Sequence, residues 1–449
     1  MGITIVQKSQ RAARKRNPKI ALVLAGGAIT GGAFKLGGLK ALDDFLVTRK
    51  TTEFDTYVGL SVGAVLAAPL SAAISPAEMI KSLDGRSAAI DRFRARDFYG
   101  FDPSLLMKRP LEYLLAVLAF VPGSLTDVLS NTPALGRELR RALKDIARHP
   151  TPGALPRLLT PIAEAIWSHR DFPSIVDHLP SGLFDNAPIE RYIRRNLRRA
   201  GLSNDFRTLH RRTGRELYIS AMNLDTAERV VFGHDEDTSL AISEAVQAST
   251  ALPGFYKPAR IGAVDYVDGG VRRTANLDVA IEHGADLIIC YNPFRPFSNR
   301  VPRRLDRATG RYTADAPLLA DAGILTVLNQ VFRTLLHSRL QHALREYRDD
   351  PSFRGDIVLI EPSESDVHFF QLNALSYWER LRAAEMGYVS VTESIERQYD
   401  EVKAVLQRYG LTLSRRAVRE NIGRMREDRA AAAKTALTSD SPKRRLRVA

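Results

Sequence analysis

Ser61, between two glycines in Gly59-Leu60-Ser61-Val62-Gly63, is the residue of this 449-residue chain best placed for nucleophilic chemistry. The pattern G-x-S-x-G describes a sharp strand-to-helix turn, where small flanking residues let strand and helix approach closely and leave the hydroxyl exposed. A helix beginning just after the serine also places its positive dipole end where a transition state develops negative charge. The pattern alone is weak, arising by chance in about one chain in eight of this length. Its place between an apolar strand and an Ala/Val/Leu-rich helix start makes it informative.

Two further segments supply what such a serine needs. Gly26-Gly27-Ala28-Ile29-Thr30-Gly31-Gly32 follows an apolar strand and opens a helix, so its backbone N–H groups are available to an oxyanion. A dinucleotide fingerprint would need glycine where Ala28 stands and an acid ending the next strand, and a P-loop would need Gly-Lys-Ser/Thr. Neither is present. A serine hydroxyl also needs a base. Asp268-Gly269-Gly270 ends a short strand, and although such a sequence is usually only a turn, it can leave a carboxylate in a cleft.

These segments require a framework. Ile20 to Leu24 reads as a strand, Ala33 to Val47 as a helix with Phe34, Leu36, Leu39 and Leu42 on its apolar face, and Tyr57-Val58 as a second strand. The Ser61 turn and an alanine-rich helix to about Ala73 follow. Repeated strand, turn and helix imply a parallel sheet covered by helices. Residues 80–185 read as a mostly helical insertion. Strand character returns at 217–220, 230–232, 266–267, 287–289 and 357–360. The stretch 295–317 reads as an exposed loop rich in Arg, Pro and Asp, followed by a helix carrying Ile324, Leu325, Leu328, Val331, Phe332 and Leu335.

At this point the sequence resembles the patatin-like phospholipases. The similarity rests on the glycine loop, the Ser61 elbow, Ala248-Ser249-Thr250-Ala251-Leu252-Pro253-Gly254, and Val267-Asp268-Gly269-Gly270, in family order. A weaker likeness continues through Asn373, Tyr377, Arg380 and Ala384 to Tyr388. The resemblance implies a three-layer α/β/α fold with a mostly parallel central sheet, a helical insertion and a helical C-terminal extension. It also implies hydrolysis of lipid acyl esters by a Ser–Asp dyad without histidine. Ser61 would be the nucleophile, Asp268 the base, and the N–H groups of Gly26, Gly27 and Ala28 the oxyanion hole, supported by Gly31, Gly59, Gly63, Gly269 and Gly270. Two departures stand out: Ala28 replaces the usual third glycine, and Thr30 a frequent Arg or Lys. Ala28 is expected to avoid positive φ, where a Cβ costs about 1 kcal/mol or more.

Composition bounds the remaining expectations. One cysteine, Cys290, excludes an intrachain disulfide and fits a reducing, cytoplasmic setting. No Cys/His cluster has metal-ligand spacing, and neither metal nor cofactor is required. The net charge of +14 is concentrated at the ends: residues 1–20 carry +6 and 411–449 carry +7, leaving 21–410 at +1. Solvated tails account for this most simply, with attraction to an anionic membrane surface next, worth about 1 kcal/mol per Lys or Arg. Nucleic acid is disfavoured, since no reading motif accompanies the tails. The expected organisation is a basic tail over 1–19, a catalytic domain over 20–300 containing the 80–185 insertion, a helical part over 301–410 and a basic tail over 411–449. No apolar run reaches membrane-spanning length, and Leu111 to Val121 reads as a buried or interfacial helix. The arginines between Arg191 and Arg199 read as a solvated helix face. Nothing in the pattern specifies an oligomeric state. Two other readings stay open: an esterase with a catalytic His283 or later histidine, and a catalytically silent lipid-binding scaffold.

Overall fold

The computed structural model describes residues 2–9, 15–101, 180–307 and 310–421. The chain divides into two units, Met1–Gly100 with Asn186–Leu252 and Pro258–Ala449, and Phe101–Asp185 with Pro253–Lys257. In the second unit the N–H groups of Leu183 and Phe184 donate to the Phe255 carbonyl at 3.0 Å, and the Phe184 and Phe255 rings pack at 4.9 Å. The expected helix at Leu111 to Val121 lies outside the described residues, as does most of the 80–185 insertion.

The first unit is built on a nine-stranded sheet among the described residues. Numbered along the chain, its strands lie in the order β1 (Ile3–Val6), β11 (Asp356–Ile360), β8 (Leu287–Tyr291), β2 (Ile20–Leu24), β3 (Thr56–Leu60), β4 (Glu216–Asn223), β7 (Val264–Asp268) and β6 (Ala259–Ile261). β5 (Arg229–Phe232) pairs with β4 beside this path. The five strands from β11 to β4 are parallel, while β1 at one flank and β5, β7 and β6 at the other each pair antiparallel with their neighbour. Parallel strands need helical crossovers, which cover both faces and explain why β2, β3, β8 and β11 are buried along their whole length.

Strand alternation separates the two helical layers. Ala21, Val23, Val58, Ile288, Cys290, Ile357 and Leu359 face one way, onto Leu277 and Val279 of the Leu277–Glu282 helix and Leu340 and Leu344 of the Ile324–Asp349 helix. On the opposite face Tyr291 reaches the Ala28–Phe45 helix, its hydroxyl donating to the Phe34 carbonyl at 3.4 Å. That helix lies against the Arg380–Arg397 helix so closely that a Cβ on Gly387 would sit 1.9 Å from the Phe34 carbonyl oxygen. The result is the expected three-layer α/β/α fold.

Several expectations need correction. Residues 1–19 are not simply a solvated tail, because Ile3–Val6 pairs antiparallel with β11 and buries Ile3 and Val6. The tail assigned from 411 begins with buried Leu411, Leu413 and Val418, and Ser414 N–H donates to the Phe45 carbonyl at 2.8 Å. In both places short apolar stretches override the basic residues around them. Within 295–317, β9 (Arg303–Asp306) and β10 (Arg311–Ala314) form an exposed two-stranded ladder in place of a plain loop. The first long helix starts at Ala28, inside the glycine segment, five residues before the expected start.

Candidate active site

Ser61 stands between the last residue of β3 and the first of the Val62–Ser71 helix, with φ 55° and ψ −130°. A non-glycine residue in that region carries about 1 to 3 kcal/mol of strain, so its surroundings must impose the conformation. Gly63 permits the turn: a Cβ there would lie 2.0 Å from the Leu24 carbonyl oxygen. Ser249 fixes it from the other side, its Oγ accepting the Ser61 N–H at 2.8 Å.

Asp268 closes β7. Leu60 is paired with Ser220 and Asp268 with Ala221, so Ser61 and Asp268 come abreast at one level of the sheet, on either side of β4. The Asp268 N–H donates to the Ala251 carbonyl at 2.9 Å, so the segment 248–252 touches both motifs. The Asp268 carboxylate is buried and accepts the Gly270 N–H at 2.8 Å. Burial pushes its pKa up to about 6, against the stabilising pull of the Ser61 hydroxyl, the Gly270 N–H and the Lys35 ammonium. Such a carboxylate is ionised at neutral pH yet more basic than an exposed one, which suits a proton acceptor.

The glycine loop borders the same space, with an ideal Gly26 Cβ falling 3.4 Å from the Ser61 Cβ. Gly27 has φ 150°, and a Cβ there would meet Pro293 at 2.7 Å. Ala28 has φ 51°, contrary to the expectation that alanine would avoid positive values; the turn into the helix imposes the left-handed conformation despite the Cβ. The N–H groups of Gly26, Gly27 and Ala28 have no hydrogen-bond partner among the described residues. Three donors at a helix start are therefore available to an anion.

Lys35, which sequence reasoning passed over, holds this loop from below. Its fully buried Nζ donates to the carbonyl oxygens of Ala25 and Gly26, the latter at 3.0 Å. Burial lowers its pKa to about 7, while Cys290 and Asp268 pull the other way. A single lysine within the apolar face formed by Phe34, Leu36 and Leu39 was the available signal. Thr30, standing where the family often has a basic residue, is anchored by its N–H to the Ala374 carbonyl at 3.1 Å.

The sequence model of the patatin-like phospholipase family matches residues 22–281, more than half of the chain, with the glycine loop, Lys35, Ser61, Ser249 and Asp268 inside the match. The chain belongs to that family. A probable lipid hydrolase, 463L, of Invertebrate iridescent virus 6 is 24% identical over 104 residues, which are 23% of this chain and 36% of the viral protein. The chain thus spans about a third of that relative's length. Among solved structures, VipD from Legionella pneumophila aligns with 88% of this chain and 70% of its own, at 15% identity and a TM-score of 0.35. Human GIVD cytosolic phospholipase A2 aligns with 87% and 60%, at 11% identity and a TM-score of 0.29.

Other candidates are placed elsewhere. His283 Nδ1 lies 2.8 Å from the Val279 carbonyl, and its Nε2 faces Glu236 and Asp235. His337 faces Glu361, and His342 faces Glu346. On the Ala187–Arg199 helix, Arg194 pairs with Glu190, Arg195 with Asp91 and Asp97, and Arg199 with Asp91. Among the described residues no group of three His, Cys, Asp or Glu could hold a metal ion, and no helix is long and apolar enough to cross a membrane.

Proposed function

We propose that the protein hydrolyses carboxylic esters of lipids, with Ser61 as nucleophile and Asp268 as its base. The observation that carries this reading is the meeting of the Ser61 hydroxyl, held on a strained backbone, with a buried carboxylate whose pKa stands near 6. In the first half-reaction Ser61 Oγ attacks the acyl carbonyl while its proton passes to Asp268. The N–H groups of Gly26, Gly27 and Ala28 receive the oxyanion. Asp268 then returns the proton to the leaving alcohol, leaving an acyl-enzyme on Ser61. In the second half, Asp268 takes a proton from water, which releases the fatty acid and restores the serine.

The contacts of Asp268 favour a dyad over a histidine-dependent esterase. The groups acting on its carboxylate are Ser61, Gly270 and Lys35, and no imidazole among the described residues is one of them. Membership of the patatin-like phospholipase family supports a lipid as the acyl donor. Labelling with a fluorophosphonate and hydrolysis of a p-nitrophenyl ester test the assignment: both should be lost in folded Ser61→Ala. Undiminished turnover in that variant would overturn it, and absence of turnover in the wild type on any lipid ester would favour a binding scaffold. Replacing His283, His337, His342 and His368 one at a time by Gln should leave turnover within about tenfold, because loss of a general base costs about 10² to 10⁴.

A further inference from the structure

The Ile324–Asp349 helix keeps one face on the sheet, through Leu340 and Leu344, and turns another to solvent. On that outer face Ile324 is 68% exposed, Phe332 60% and Leu335 52%, with Leu328 and Val331 also exposed. These positions follow helical spacing, so they form one apolar stripe with no partner among the described residues. Farther along, the exposed positions carry Arg339, His342, Arg345 and Arg348 against Glu346 and Asp349. Before the helix, the β9–β10 ladder exposes Arg303, Arg304 and Arg311 beside Leu305 and Tyr312. Ten basic and four acidic side chains put the stretch 295–348 at +6, whereas all of 21–410 carries only +1. An apolar stripe bordered by cations is complementary to an anionic lipid surface.

The helix is also tied to both sides of the candidate site. Arg333, buried and lying over the Phe369 and Phe370 rings, donates to the carbonyls of Pro293 and Arg295 at 3.0 and 3.2 Å. Pro293 is the residue packed on Gly27 and Gly31 of the glycine loop. At the other end, Arg339 donates to the Val271 carbonyl at 2.7 Å and the Leu336 carbonyl accepts from Thr274 at 2.8 Å, gripping the turn after Asp268. We propose that the outer face of this helix, from Ile324 to Leu335, seats on an anionic lipid surface and thereby sets the glycine loop and Asp268 at that surface. The inference rests on the lipid-hydrolase reading and names the surface through which that site meets its substrate.

The full chain, both basic ends included, is tested with sedimented vesicles of phosphatidylglycerol and phosphatidylcholine. Phe332→Ser combined with Leu335→Ser, two exposed positions, should lower vesicle binding at least about tenfold and lower hydrolysis of vesicle lipid in parallel. The thermal midpoint and the turnover of a soluble p-nitrophenyl ester should stay unchanged. Arg345→Glu with Arg348→Glu should remove the preference for phosphatidylglycerol over pure phosphatidylcholine. Vesicle binding unaltered in the serine double variant overturns the proposal and leaves the basic ends as the membrane contact. A wild type that forms a dimer, dissolved by the same substitutions without vesicle binding, assigns the face to a second copy and also overturns it. Loss of vesicle binding in a protein that hydrolyses no ester would sustain the surface while the activity reading failed.

Discussion

The Ser249 hydroxyl oxygen accepts the backbone N–H of Ser61 at 2.8 Å, across 188 positions of sequence. The bond secures a turn whose φ of 55° is unfavourable, and the same segment receives the Asp268 N–H on Ala251. Ser61 and Asp268 therefore share one scaffold.

Ser249→Ala leaves the Ser61 N–H buried without its acceptor, at a cost of about 1 to 3 kcal/mol. Part of that cost should appear in catalysis, because the elbow can relax away from Asp268. Soluble-ester kinetics should show kcat reduced by about 10 to 100-fold with KM nearly constant, and Ser249→Thr should restore most of the rate. Equal rates in Ser249→Ala and wild type would show that the elbow holds without this bond.

The Asp268 carboxyl titrates near 6 in the folded chain and near its ordinary 3.8 when unfolded. As a base it must be ionised, so kcat/KM should fall as pH drops through about 6. Stability runs the opposite way: the raised pKa favours folding below 3.8, and that advantage is lost as pH rises through 6. Asp268→Asn should therefore lose turnover yet exceed the wild type in stability at pH 8 by up to about 3 kcal/mol. The gain should vanish near pH 3.5, which urea unfolding at the two pH values checks.

Lys35→Met keeps the length of the side chain and removes both its hydrogen bonds to Ala25 and Gly26 and its charge. The ammonium helps hold Asp268 ionised, so the acid limb of kcat/KM should move to higher pH. Loss of the brace should also reduce kcat by about tenfold, in the range expected for a disturbed oxyanion donor set. A lower rate with the limb unmoved would make Lys35 a structural support only.

Ala28→Gly tests the strain at φ 51°. Removing the Cβ should stabilise the fold by about 1 kcal/mol in urea titrations while leaving ester turnover within about twofold, since the N–H at this position is kept. Destabilisation instead would mean that the alanine methyl contributes packing worth more than the strain.

The motifs around Ser61 and Asp268, and their order, were legible in the sequence because each depends on near neighbours: a glycine on either side of Ser61, and two after Asp268. The central strands were equally plain, their doubly buried positions reading as unbroken apolar runs such as Ile20 to Leu24. What escaped were partners distant along the chain. Nothing around Ser249 announces that its hydroxyl will meet Ser61, and nothing near Ala374 announces a clasp on Thr30. Lys35 was hidden for a related reason, since a lysine amid apolar residues more often extends to solvent than donates to buried carbonyls. Ile3–Val6 was missed because four residues beside six basic ones carry little periodicity until β11 is supplied as their neighbour.

The order of strands has a consequence for how the protein is made. β2 emerges from the ribosome early, yet its neighbour on one side, β8, begins at residue 287, and β1 pairs only with β11 at 356–360. The glycine loop at 26–28 waits longer still: Pro293, the Ala374 carbonyl, and the helix whose Gly387 abuts Phe34 all come late. At about 5 to 20 residues per second, this leaves the loop without its frame for roughly 20 to 70 s of translation. A nascent chain, or one broken off before about residue 390, would carry Ser61 without the finished glycine loop beside it. Any chemistry at Ser61 is thereby withheld until synthesis is almost done.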